Sequence, residues 1–176
     1  SLEAYTGYHD SQRKAIRAVR EFIADLGGHV DRGESLVLYG AIGTGKDHLL
    51  AAVLYAAAEG GAPCRWVNGQ SLYSDVRDRM GTGKSEAAWM SEWESPAVLG
   101  ISDPIPPVGE LTAWRMELLY RLVDRRYRAM RSTWVTINVK TREEADQELS
   151  QQVFDRLQEG AVIIPCFWPS HRERKK

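Results

Sequence analysis

A glycine-rich run that ends in lysine constrains this chain most strongly: Gly40-Ala41-Ile42-Gly43-Thr44-Gly45-Lys46. It follows the apolar run 36–39 and leads into an Ala/Leu-rich stretch that starts at His48. Glycines let a backbone wrap closely around phosphate, and amide N–H groups at a helix N-terminus supply positive potential there. A lysine at this spacing reaches the β- and γ-phosphate oxygens. The run therefore predicts a strand–loop–helix site for ATP or ADP, with contacts from Gly40 through Asp47 to His48.

The loop departs from the usual pattern at one position. The lysine is ordinarily followed by Ser or Thr, whose hydroxyl binds Mg²⁺, but this chain has Asp47 there. A carboxylate beside a triphosphate is repelled unless a metal ion lies between them. Asp47 is therefore a candidate metal ligand.

Short apolar runs alternate with helix-like stretches along the chain. Five runs bounded by turn residues have the length and the Val/Ile/Leu content of strands buried on both faces: 35–39, 64–67, 97–101, 133–137 and 161–165. Helical patterns are present at 11–26, 48–59, 72–80, 86–92, 111–130 and 143–157, and Gly27-Gly28 is a natural stop for the first of them. This alternation predicts an α/β fold with a doubly wound, five-stranded parallel sheet.

Composition limits the class of protein. The 176 residues fit one domain over 1–172, with an N-terminal arm at 1–10, the leading helix at 11–26, a basic tail at 173–176 and no sizeable lid domain. A formal net charge of −1 excludes an overall basic excess. No apolar run approaches the ~20 residues of a membrane helix. We expect a cytoplasmic protein without a membrane partner, whose two cysteines are buried free thiols.

The loop and four later motifs resemble those of the AAA+ ATPase domain of DnaC/DnaI-type helicase loaders and IstB-type transposition helper ATPases. The loop continues into Asp47-His48-Leu49, and the later motifs are Arg126-Tyr127, Thr136-Ile137-Asn138, Asp155-Arg156-Leu157 and a late Ser170-His171-Arg172. The resemblance runs from about Tyr5 to Arg172. It implies an AAA+ type P-loop NTPase domain that takes ATP or ADP with Mg²⁺.

The resemblance also implies roles for single residues. Asn138 matches the sensor-1 residue, which orients the attacking water or touches the γ-phosphate, although a strand-end Asn also caps turns. Arg156 matches the arginine finger that completes a neighbour's site across a self-association interface. The alternative for Arg156 is a surface pair with Asp155 or Glu159. Arg172 matches the late sensor-2-like arginine at the nucleotide.

The third predicted strand departs from the family as well. Members carry two acids after this apolar run, whereas this chain has Ser102-Asp103. By register, Ser102 takes the place of the magnesium-associated acid and Asp103 that of the water-activating acid, so the metal candidates are Asp47, Ser102 and Asp103. Two hypotheses follow: an acid and a hydroxyl have been exchanged between positions 47 and 102, or both changes record a loss of hydrolysis.

Two basic regions are candidates for contact with single-stranded DNA. By resemblance, Arg77, Arg79 and Lys84 lie between the second and third strands, where family members hold DNA. Arginines also crowd the predicted helix 111–130 and its end, at Arg115, Arg121, Arg125, Arg128 and Arg131. Acids alternate with these arginines, so a solvated, salt-bridged helix face explains them equally well.

Together these features predict the ATP-binding AAA+ domain of a replication or transposition protein. It would self-associate on DNA or on a DNA motor, with a replicative helicase or a transposase as partner. The alternative is a degenerate nucleotide-binding module with little hydrolysis, whose ATP state gates protein interactions. We also expect a truncated relative or a segment of a longer protein, because no separate N-terminal partner-binding domain precedes the loop.

Overall fold

The computed structural model describes residues 7–80, 86–106 and 111–170, which fold around one five-stranded sheet. The strands are β1 (Leu36–Gly40), β2 (Cys64–Asn68), β3 (Val98–Ser102), β4 (Ser132–Asn138) and β5 (Val162–Pro165). They lie in the order β2-β3-β4-β1-β5, and every pairing is parallel. The predicted doubly wound parallel sheet is confirmed, and each strand begins and ends within one residue of its predicted bounds.

Eight helices are described between and beside the strands. They are α1 (Asp10–Ala24), α2 (Leu26–Asp31), α3 (Lys46–Glu59), α4 (Gly69–Met80), α5 (Glu86–Glu94), α6 (Ala113–Arg128), α7 (Arg142–Leu149) and α8 (Gln151–Gln158). None of them, within the described ranges, is long and apolar enough to cross a membrane.

Two helix predictions were wrong in detail. Gly27 and Gly28 do not end the first helix. That helix, α1, ends at Ala24, and both glycines lie inside the short helix α2, which begins directly after Asp25. The single helix predicted over 143–157 is two helices, α7 and α8. They meet at Ser150, whose φ of 62° is left-handed and therefore interrupts the helical backbone.

Apolar side chains fill both faces of the sheet. On one face, Val19 of α1 and Leu50 of α3 pack with Leu36 and Leu38 of β1. On the other face, helices α4 to α8 cover the sheet through a second buried cluster that includes Val37 and Leu122. Burial on both faces explains why the strands are nearly continuous apolar runs, and it leaves the strand ends as the place for polar groups.

One arginine is fully buried at the end of the sheet where β3 and β4 begin. The guanidinium of Arg126 in α6 donates to the backbone carbonyls of Trp93, Glu94, Pro96, Ala97 and Ser132 and to the Thr133 hydroxyl. Burial lowers the pKa of Arg126 to about 9, so the side chain keeps its charge at neutral pH. Arg126 therefore joins α6, the segment after α5 and the starts of two strands.

We predict that Arg126→Met destabilises the protein by about 3 kcal/mol or more, because several buried carbonyls lose their donor at once. The matched control is the neighbouring Arg125→Met, since Arg125 makes a 2.9 Å surface ion pair with Glu94 and such pairs contribute at most about 1 kcal/mol. Urea unfolding monitored by circular dichroism measures both. Equal losses of stability in the two variants would contradict the structural role of Arg126.

Candidate nucleotide-binding site

The predicted site residues meet at the edge of the sheet where the parallel strands end. Gly40 at the end of β1 lies beside Asn138 at the end of β4, and Ser102 at the end of β3 lies beside Thr136. The loop after β1 and the first turn of α3 begin at this same edge. Ligands of open α/β sheets bind outside the carboxyl ends of the strands, so this edge is the candidate site.

Two glycines give the loop a backbone that other residues rarely adopt. Gly43 has a φ of 81° and Gly45 a φ of 89°, both in the left-handed region. Gly45 is also the N-cap of α3 and has no side chain above the first helical turn. The amide groups at the start of α3 therefore lie open toward the loop, as a bound phosphate requires.

Lys46 lies folded onto the loop. Its ammonium donates to the carbonyls of Gly40 at 2.9 Å and Ala41 at 2.8 Å, and the residue is only 4% exposed. Burial lowers the pKa of Lys46, while the negative charges of Asp103 and Asp47 oppose that change. The ammonium is already desolvated. If phosphate oxygens replaced the two neutral carbonyls as its partners, its electrostatic interactions would therefore become stronger.

Asp47 faces a hydroxyl from β4 to which the sequence analysis gave no role in the site. The Thr136 hydroxyl donates to Oδ1 of Asp47 at 2.7 Å. Ser102 instead accepts a 3.2 Å hydrogen bond from the Trp66 indole. An acid and a hydroxyl do lie together at this edge, but the hydroxyl bonded to Asp47 belongs to Thr136, the register partner of Ser102.

Asp103 and Asn138 form a pair beside the loop. The Asn138 side-chain amide donates to Oδ1 of Asp103 at 2.6 Å. Asp103 has a φ of 48°, and its N–H donates to the Thr136 carbonyl at 3.1 Å. Burial and the charge of Asp47 raise the pKa of Asp103, against the effects of Lys46 and Asn138. Such a backbone conformation and a raised pKa both occur at functional sites, so Asp103 is a candidate functional carboxylate.

A cleft of about 330 Å³ opens next to this pair. Its lining includes Asp103 and Asn138 with Ile42 from the loop, and Asn68 and Gln70 from the end of β2 and the start of α4. Asn68 accepts a 2.9 Å hydrogen bond from the Gln70 N–H. The sequence analysis missed both residues, because a polar side chain after a predicted strand has no distinctive pattern.

The donor chemistry at this edge suits Mg²⁺. Asp47, Ser102 and Asp103 supply only carboxylate and hydroxyl oxygens, which are the ligands that this hard cation prefers beside phosphate. The described residues contain no cluster of three or more His, Cys, Asp or Glu side chains that could hold a metal. A magnesium ion here would therefore depend on nucleotide oxygens for much of its coordination.

Arg156 lies in a different environment from the other predicted site residues. Its guanidinium donates to Asp124 of α6 at 3.1 Å, lies 3.7 Å from a Glu159 oxygen and stacks over the Tyr127 ring. The side chain is 34% exposed. It therefore makes the Glu159 pair named as the alternative to a finger role, and Asp124 is a further acid partner. The predicted Arg172 lies outside the described residues.

The segment after β5 crosses the carbonyl side of the loop. The Trp168 indole donates to the Thr44 carbonyl at 2.9 Å, and the Ser170 hydroxyl donates to the Gly43 carbonyl at 3.5 Å. In a trans peptide the carbonyl and the following N–H point in opposite directions. Because these carbonyls are fixed toward residues 168–170, the N–H groups of Thr44 and Gly45 point to the opposite side of the loop. Trp168 and Ser170 thus help to set the direction of two amides in the candidate phosphate loop.

Comparison with known proteins places the chain in a defined family. The family model of the IstB-like ATP binding protein matches residues 5–176. A Mycobacterium tuberculosis protein named as a putative ATP-binding protein in an insertion sequence is 27% identical over 154 residues, which cover 84% of this chain and 59% of that protein. The chain therefore spans little more than half the length of this relative.

Solved structures share the fold. The crystal structure of the DnaC helicase loader has a TM-score of 0.84 at 22% identity, covering 95% of this chain and 96% of that one. Domain III of the Thermotoga maritima replication initiation protein DnaA has a TM-score of 0.76 at 19% identity, covering 99% and 70%. The replication initiator DnaA bound to AMPPCP and single-stranded DNA has a TM-score of 0.77 at 17% identity, covering 96% and 50%. The AAA+ fold expected from the resemblance is confirmed.

We predict that Trp168→Phe weakens ATP binding about three- to tenfold, the loss of roughly one hydrogen bond that holds the loop. Trp134→Phe is the matched control, since its indole donates to the Glu34 carbonyl at 3.3 Å, at the opposite end of the sheet. Calorimetric titration with ATP measures the affinity, and thermal melts show whether each variant is folded. The prediction fails if both variants are folded and bind ATP equally well.

Proposed function

Because the chain belongs to the IstB-like ATP-binding protein family, we propose that it is an AAA+ module that binds ATP with Mg²⁺ and self-associates. In this proposal it acts on DNA or on a DNA-bound motor, with a replicative helicase or a transposase as the protein partner. The observation that carries the proposal is the desolvated ammonium of Lys46 inside a left-handed glycine loop at the edge of a parallel sheet. This arrangement concentrates positive potential where a triphosphate would lie.

The residues around the loop can support hydrolysis of the nucleotide. Asp103 is the candidate that accepts the proton of an attacking water, because its raised pKa makes it a better base than an ordinary carboxylate. Asn138 can orient that water or the γ-phosphate, but it now donates to Asp103. This bond uses one oxygen of the Asp103 carboxylate and one N–H of the Asn138 amide, so each side chain has a further polar group for the water or the γ-phosphate.

A second candidate function is a nucleotide-gated interaction module with little hydrolysis. It is favoured by the partners of the candidate metal ligands, since Asp47 is bonded by Thr136 and Ser102 by Trp66. Steady-state ATP hydrolysis with and without single-stranded DNA separates the two functions. Measurable turnover supports the ATPase, whereas tight binding without turnover supports the gated module.

We predict that positions 47 and 102 are energetically coupled through a shared metal. Asp47→Ser removes a carboxylate ligand and weakens magnesium-dependent ATP binding, while Ser102→Asp adds a second carboxylate that the triphosphate repels. The double variant recovers binding, with a coupling energy of roughly 1–3 kcal/mol. Calorimetric titrations with and without Mg²⁺ measure this cycle. Purely additive effects would mean that the two side chains do not share a metal, and the loss of hydrolysis would then explain both changes.

We also predict that Arg156 acts on the site of a neighbouring copy. Arg156→Ala leaves ATP affinity nearly unchanged and abolishes activity stimulated by self-association, because the finger offsets charge that develops in phosphoryl transfer. Arg128→Ala is the matched control, since Arg128 bonds the same Asp124 carboxylate at 2.8 Å but has no proposed role in the site.

Mixing two inactive variants tests this role directly. Lys46→Ala lacks its own nucleotide site and Arg156→Ala lacks the finger, so a mixed assembly restores some complete sites and partial ATPase activity. Co-assembly is verified by analytical ultracentrifugation. No recovery of activity at any mixing ratio, in samples that do co-assemble, would exclude the finger role.

A further inference from the structure

The outward face of α1 carries a group of exposed cations, flanked by the exposed acids Asp10 and Glu21. Arg13, Lys14, Arg17 and Arg20 are all exposed on this helix. Residues three and four apart are neighbours on a helix surface, so these four cations form one stripe. The sequence analysis did not single the stripe out, because the acids elsewhere in the chain cancel its charge in the total.

This stripe differs from the other arginine-rich regions because three of its four cations have no acid partner among the described residues. Arg79 pairs with Glu92 at 2.7 Å and Arg125 with Glu94 at 2.9 Å. On α1, Arg13 pairs with Asp10. Within the part of the chain that the structure describes, no acidic side chain pairs with Lys14, Arg17 or Arg20. In the regions first considered for DNA contact, Arg79, Arg125 and Arg128 are thus paired with acids, whereas Lys14, Arg17 and Arg20 of α1 are not. The candidate Lys84 lies outside the described residues.

Burial of the opposite side of α1 restricts what the stripe can bind. Ala15, Val19 and Phe22 are at most 3% exposed and pack against α3 and the sheet. The helix therefore has no apolar face left to insert into a lipid bilayer, as a membrane-surface helix requires. The four positive groups can act only through charge and hydrogen bonds to an anionic partner.

We propose that this face of α1 binds the phosphate backbone of double-stranded DNA. From residue 13 to residue 20 the helix rises about 10 Å, which matches roughly three phosphates of one strand along a duplex axis. The helix carries no aromatic side chain between residues 13 and 20, and the cleft beside Lys14 adds a single one, Phe167. Surfaces for single strands typically present a series of stacking groups. The contact is independent of base sequence. This inference rests on the proposed function only for the choice of DNA as the anionic partner.

The test compares two double variants that remove the same charge. Arg17→Ala/Arg20→Ala removes two unpaired cations, and the control Arg125→Ala/Arg128→Ala removes two arginines that are paired with acids. Fluorescence anisotropy measures binding of the full chain to a labelled mixed-sequence duplex and to the same sequence as a single strand, over a range of salt concentrations. ATP titration of each variant shows whether the nucleotide site is intact.

We expect the α1 variant to bind the duplex about tenfold or more weakly near 0.1 M salt, with a log–log salt slope shallower by about two. The control variant keeps wild-type affinity for the duplex, and both keep their affinity for ATP. Equal losses in the two variants, an unchanged α1 variant, a loss confined to the single strand, or binding only to anionic vesicles would each overturn the proposal. If the wild-type chain binds DNA while the α1 variant is unchanged, only this inference fails; if the wild-type chain does not bind ATP, the proposed function fails.

Discussion

The hydrogen bonds accepted by the carbonyl groups of the glycine-rich loop hold the rest of the candidate site in place. The carbonyls of Gly40 and Ala41 accept from the Lys46 ammonium, that of Gly43 from Ser170 and that of Thr44 from Trp168. Each bond fixes the plane of a peptide, and with it the direction of the next N–H. The loop thus holds its amides in place through groups that come from α3 and from the end of the chain after β5.

Much of the fold could be predicted from the sequence, because its strands are buried on both faces and stand out as short apolar runs. The helix boundaries were less predictable. Gly27 and Gly28 have low helix propensity, yet α2 includes both, and Ser150 breaks a helical pattern that was otherwise continuous. In both places the observed backbone differs from the usual preference of the residues: two glycines are helical, and a serine adopts a left-handed φ that ends a helix.

The site residues likewise divide into those that the sequence analysis named and those that it did not. The loop was predicted because a motif fixes its spacing, and Asp103 and Asn138 were assigned by resemblance to the family; the structure brings all three to one edge of the sheet. Thr136 was missed as a partner of Asp47 because it lies inside a buried strand, where a threonine is an ordinary strand residue. The contacts of Trp168 and Ser170 with the loop were missed because their partners lie more than 120 residues away in sequence. A contact of that kind leaves no periodic pattern in a single sequence.

We propose that the Lys46 ammonium leaves the loop carbonyls and binds the nucleotide phosphates when ATP binds. Calorimetric titration of wild type and Lys46→Ala with ATP and Mg²⁺ tests it most directly, with circular dichroism to show that both chains are folded. The account predicts binding by the wild type and an affinity about tenfold or more weaker in the variant, since one charge-assisted contact is lost. A folded Lys46→Ala chain that binds ATP as tightly as the wild type would contradict it.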